Sequence, residues 1–194
     1  MSIEHVNRKG DTYYLQSTTT RAGKPRYQFS KKLRGTPVDT VPEGYEIYEK
    51  PENAQVFLRK TVPSLISPSE REMLAEAIRR QAGLNHFILD SDGDAIVIYL
   101  PDRDEADADE LVRLLAGPLG HSQQKREWLI EQSNFSKTMR FVLADAHERT
   151  FSVQRWCFLG SIDNWMHVAR PAKLAEQLKK YLKHLGKESF YELI

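Results

Sequence analysis

Short β-prone runs recur in pairs along this chain, each pair joined by turn-forming residues, and that arrangement restricts the fold to antiparallel hairpins. Thr12–Gln16 and Arg26–Ser30 are separated by a polar Ser/Thr/Arg stretch that ends in Gly23-Lys24-Pro25, which reads as a long, mobile hairpin loop. Tyr45–Glu49 alternates apolar with acidic residues, and Gln55–Arg59 follows the turn-prone Lys50-Pro51-Glu52-Asn53. His86–Asp90 and Ala95–Leu100 flank Asp92-Gly93, a dipeptide suited to the positive φ of a type I′ turn. With Asp92 and Gly93 central, Leu89 faces Ile96 and both faces of the pair are apolar, as in strands covered on both sides. Lys137–Asp145 and Thr150–Phe158 form a fourth pair, with His147-Glu148 near its tip.

Helical periodicity fills the intervals. Ser67-Pro68-Ser69-Glu70 carries a capping box with proline at the first helical position, and Met73, Leu74, Ala77 and Ile78 form its apolar stripe before Gly83 ends it. Glu105–Ala116 places Ala108, Leu111, Val112 and Leu115 on one face, with acids in the first turn where the helix dipole favours them. Gly117-Pro118-Leu119-Gly120 breaks the chain before a weaker helix, Gln123–Gln132, around Trp128 and Leu129. A last helix starts at Pro171 and buries Leu174, Leu178, Tyr181, Leu182 and Leu185; Gly186 caps it, and Phe190 and Leu193 return to the core. The expected fold class is α+β: a small antiparallel β unit at 1–62, then a mixed region of β-hairpins and three or four amphipathic helices at 63–194, the two forming separate domains or one continuous globule.

Charge is distributed unevenly. Residues 1–36 hold eight Lys and Arg against Glu4 and Asp11, a net +6, whereas the whole chain carries +1. Residues 84–116 hold nine acids against Arg103 and Arg113, a net −7. Either the two segments face each other within the fold, or they pair between protomers, or each has its own partner.

The basic segment is interleaved with aromatics. Arg8, Lys9, Lys24, Arg26, Lys31 and Lys32 are candidate phosphate contacts, and Tyr13, Tyr14, Tyr27 and Phe29 candidate stacking platforms for nucleic acid. The alternative is that alternation along Arg26–Ser30 puts both aromatics into the core. A second anion-binding candidate arises in the fourth hairpin: with a loop of 146–149, Arg140 stands opposite Arg155, and like charges so placed call for an anion or a carboxylate between them. A two-residue shift in register removes that argument. Trp156 and Trp165 read as core anchors first and ligand platforms second.

Catalytic signatures are missing. The chain has no phosphate loop, dinucleotide fingerprint, zinc helix or nucleophile elbow, and its six histidines lie on different elements without ligand spacing. Asp90, Asp92 and Asp94 suggest a carboxylate cage, but glycine falls at the fourth position and Pro101 at the twelfth, so turn chemistry explains them better than calcium. No metal and no cofactor is implied. The single Cys157 lies between Trp156 and Phe158 and reads as a buried, inert thiol. No apolar run approaches a membrane span and no leader pattern opens the chain, so the expected location is the cytoplasm and no membrane partner is implied.

Asn7–Leu15, Pro42–Glu49 and Gly160–Trp165 resemble short blocks of prokaryotic hypothetical proteins without assigned function. The resemblance implies a bacterial-type cytosolic protein and carries over no activity, ligand or catalytic residue. Taken together, the expectation is a non-catalytic binding protein that uses its basic aromatic hairpin, with nucleic acid or an acidic protein surface as partner. The alternatives are a small hydrolase or nuclease whose polar groups converge only in space, and a partner-protein or homo-oligomer interface module.

Overall fold

The computed structural model describes residues 2–103, 105–116, 123–159 and 162–193. The expected break at 117–120 and the turn at Gly160-Ser161 lie outside them. The architecture is α+β, and the chain divides into two compact units: Met1–Thr61 with Arg103–Asn134, and Val62–Asp102 with Phe135–Ile194. The sequence reading has 63–194 as one region; the contacts group 103–134 with the N-terminal strands instead.

In the first unit, β1 (Glu4–Val6), β2 (Thr12–Thr19) and β3 (Pro25–Ser30) form an antiparallel sheet in that order, with the short β4 (Thr36–Pro37) beside β2. Leu15 stands opposite Phe29, and both are buried with Val56. β5 (Tyr45–Glu49) pairs with β6 (Val56–Lys60), sending Ile47 and Leu58 toward the same cluster. The hairpin loop between β2 and β3 is shorter than expected. β2 runs on to Thr19, and Thr20 closes a five-residue loop by exchanging backbone and hydroxyl hydrogen bonds with Lys24. Gly23 supplies the positive φ of +76° that this closure needs. Helices α2 (Glu105–Ala116) and α3 (Gln123–Gln132) pack through Ala108, Val112, Leu129 and Ile130. Of the two residues around which that helix is expected, Leu129 is buried and Trp128 is exposed, and the side chain of Leu115 is outside the described set.

The second unit is a five-stranded antiparallel sheet in the order β11-β10-β9-β8-β7. Its strands are β7 (Ile88–Asp92), β8 (Ala95–Pro101), β9 (Phe135–Asp145), β10 (Thr150–Leu159) and β11 (Ile162–Lys173). Helices α1 (Pro68–Ala77) and α4 (Leu174–Tyr181), each with the helical turn that follows it, bury Leu74, Ile78, Leu178 and Leu182 in one core with Ile96, Ile98, Met139, Phe141, Phe151 and Val153. The capping box of α1 forms as its sequence requires: Ser67 Oγ accepts from the Glu70 N–H, and the Glu70 carboxylate accepts from the Ser67 N–H. Met73 does not join the stripe; it is 44% exposed. Residues 95–99 of β8 are buried throughout, as strands covered on both faces require.

Three other expectations change. Asp92 pairs with Ala95, so Gly93 and Asp94 are the central turn residues and Leu89 faces Ile98 rather than Ile96. Only Gly93 has positive φ, +58°, which fits a turn with glycine at its first central position. Because the pairing moves by two residues, every side chain keeps its face. Residues Ile162–Lys173 form an edge strand that has no clean alternation, and Pro171 sits within it, tolerated at an edge; the last helix therefore begins at Leu174, not Pro171. Between Thr150 and Phe151 the β9–β10 register slips by one, with consequences for Arg140 and Arg155.

Candidate nucleic-acid interface

The turn between β1 and β2 is built around Asn7, a buried amide. Its Oδ1 accepts from the backbone N–H groups of Lys9 (3.0 Å) and Asp11 (2.8 Å), and its Nδ2 donates to Ala54 O at 2.7 Å. This holds Arg8 against the β5–β6 connection. The Arg8 guanidinium donates to the Glu49 carboxylate (3.2 Å), to Lys50 O (3.3 Å) and to Pro51 O (2.8 Å). Lys9 donates to Asn134 Oδ1 at 2.8 Å, and Lys31 pairs with Asp11 at 2.7 Å. The hydrogen bond to Asp11 holds the Lys31 ammonium above its ordinary pKa. Arg8, Lys9 and Lys31 are thus committed within the first unit.

The distal cations are placed differently. Lys24, Arg26 and Lys32, with Arg21 and Arg34, are all exposed, and their side chains have no hydrogen-bond or ion-pair partner among the described residues. Arg21 and Lys24 sit on the tight loop, Arg26 on β3 opposite Thr18, and Lys32 and Arg34 on the segment leaving β3. That segment is pinned by Gln16, buried in β2, whose Oε1 accepts from the N–H groups of Arg34 (2.7 Å) and Gly35 (2.6 Å) while Nε2 donates to Lys32 O. A β-carbon at Gly35 stands 2.5 Å from Ser17 O, closer than the backbone permits. Gly35→Ala is therefore expected to displace β4 from β2 and cost about 1–3 kcal/mol, measured by urea denaturation.

The aromatics divide between the two faces of the sheet. Phe29 is core and Tyr13 packs at its margin, whereas Tyr14 is half-buried on the opposite face, which it shares with Arg26. Tyr27, opposite Ser17 and 37% exposed, shares the Phe29 face. The hairpin presents cations more than stacking rings. Nothing in the local pattern marked Gln16 or Asn7, because their partners lie up to 47 residues away.

Arg140 and Arg155 do not face each other. The one-residue slip pairs Arg140 with Gln154 and sends Arg155 to the other face of the sheet, where it is buried and donates through Nε to Leu193 O at 2.6 Å. No anion is needed between them. Burial pulls the Arg140 guanidinium below its ordinary pKa range, against the opposing charges of Asp94 and Asp92. Among the described residues, no group of three His, Cys, Asp or Glu is placed to hold a metal, and no helix is long and apolar enough to cross a membrane. Cys157 is buried and free.

Compared with models of protein families, with curated proteins and with solved structures, the chain has no match. Function is accordingly argued from the arrangement of side chains.

Proposed function

We propose that this is a non-catalytic binding protein that lays the cations of its N-terminal hairpin along a polyanion, with nucleic acid as the ligand. The observation that carries the reading is the set of five exposed cations, Arg21, Lys24, Arg26, Lys32 and Arg34, which have no partner among the described residues although Arg8, Lys9 and Lys31 of the same segment do. Exposed Lys and Arg on a tightly closed ribbon can neutralise phosphates and release their counterions, which gives affinity with little sequence preference. The placing of Phe29 in the core leaves phosphate contact, more than base stacking, as the source of that affinity. Fluorescence anisotropy with single- and double-stranded oligonucleotides at two salt concentrations tests the reading. The expected result is binding that weakens steeply with salt, varies little with sequence and is accompanied by no cleavage. Magnesium-dependent cleavage replaces it with a nuclease; absence of binding to either strand form replaces it with a protein or self-association interface.

A further inference from the structure

The sheet face of the second unit that points away from α1 and α4 carries a row of one residue from each strand: Asp90, Val97, Arg140, Gln154 and His167. Arg140 Nε donates to Gln154 Oε1 at 2.8 Å, and Gln154 Nε2 lies 3.3 Å from His167 Nε2. Gln154 is 7% exposed, so its amide is spent on orienting the side chains to either side. The terminal nitrogens of Arg140 make no hydrogen bond to the described residues, and its guanidinium lies 4.4 Å from the centre of the Trp165 ring. Trp165 meets Trp156 edge to face at 5.1 Å, and the Lys137 ammonium stands 3.4 Å from the Trp156 ring. Both indoles are half-buried rather than the core anchors expected first.

A cleft of about 540 Å³ opens beside His167, where the β10–β11 register slips, within the range of small-ligand sites. Ser152, Arg170 and Pro171 also line it, and among the described residues no carboxylate does. The Ser152 hydroxyl and the Arg170 guanidinium have no side-chain partner among the described residues. Arg140 answers partly to Asp92 and Asp94, so the uncompensated charge lies at the cleft, while the Arg140–Trp165 stack offers a flat, cationic surface next to it. Guanidinium and indole planes are the surfaces on which heterocycles stack.

We propose that this strip binds a mononucleotide, with its phosphate in the cleft on Arg170, His167 and Ser152 and its heterocycle against the Arg140–Trp165 stack. All of its residues belong to the second unit, and the proposal does not rest on the reading of the hairpin. The chain has three tryptophans, so Trp128→Phe leaves Trp156 and Trp165 as the reporters, both at the site. The full chain carrying that substitution is titrated with adenosine monophosphate, adenosine and inorganic phosphate, following tryptophan emission. Saturable quenching by the monophosphate is expected, with adenosine and phosphate each at least roughly tenfold weaker. Arg170→Gln, whose parent side chain is exposed, is expected to weaken the monophosphate roughly fivefold or more, leave adenosine unchanged and leave the melting temperature within a few degrees. Phosphate binding as tightly as the monophosphate, an inert Arg170→Gln, or no saturable quenching up to roughly 1 mM monophosphate overturns the proposal.

Discussion

Glu70→Ala is expected to destabilise the second unit by about 2–4 kcal/mol at neutral pH, because one carboxylate closes both the start of α1 and the tip of the β9–β10 hairpin. Its Oε2 accepts from the Ser67 N–H and hydroxyl, each at 2.9 Å, and its Oε1 accepts from Arg149 Nε at 2.9 Å; a terminal nitrogen of Arg149 also donates to Oε2. Arg149 in turn donates to Leu65 O, and its φ of +48° sets it in the tight hairpin turn. Burial opposes the charge on Glu70, but the hydrogen bonds from Arg149 and Ser67 outweigh it and hold the carboxyl below its ordinary value. A carboxyl depressed in the folded state contributes stability that is complete above its unfolded pKa and disappears as pH falls through the folded one. Glu70→Gln retains an acceptor for the capping box and loses the charge, so it is expected to cost about half as much as alanine at pH 7. The gap between wild type and Glu70→Gln should be constant above about pH 5 and close as the carboxyl protonates. Urea denaturation at pH 7 and below pH 4 measures it; a gap that stays open in acid removes Glu70 as the linked group.

Local signals placed what depends on local physics. The alternation of Tyr45–Glu49, the capping box at Ser67–Glu70 and the stripe through Ala108 and Val112 each state a periodicity or a turn chemistry that the chain then adopts. What depends on distant partners left no such trace. Ile162–Lys173 mixes Asp, Asn, His and Pro, and is a strand because β10 offers it a row of hydrogen bonds, an instance of context overriding propensity. One bulged residue, Ala144 of β9, which falls between the Asp145–Thr150 and Leu143–Phe151 pairs, separates Arg140 from Arg155, and no residue type there announces it. Counting charge found the basic segment, yet it could not distinguish Arg8, spent on Glu49 and two carbonyls, from Lys24, Arg26 and Lys32, which are spent on nothing described. The same limit applies to Trp156 and Trp165. Their aromatic content was plain, whereas their placement over Lys137 and Arg140 arises from strand register.

The division of cations into committed and uncommitted sets predicts a separation of binding from stability. Replacing Lys24, Arg26 and Lys32 together by glutamine is expected to lower oligonucleotide affinity roughly a hundredfold at low salt and to make the slope of log K against log salt shallower by about 3, one for each lost phosphate contact. The loss should be nearly uniform across sequences, since phosphate contacts carry no base information. Stability should barely respond. All three side chains are exposed and bond to no described group, and the structure of their segment is held by the buried Gln16 amide and by Thr20, which the substitutions leave in place. Anisotropy across a salt series, with urea denaturation of the same variant, reads both quantities. An unchanged slope in a protein of unchanged stability places the phosphate contacts outside the hairpin and leaves its positive charge to an acidic protein surface; a shallower slope with intact stability is the result that phosphate contact alone produces.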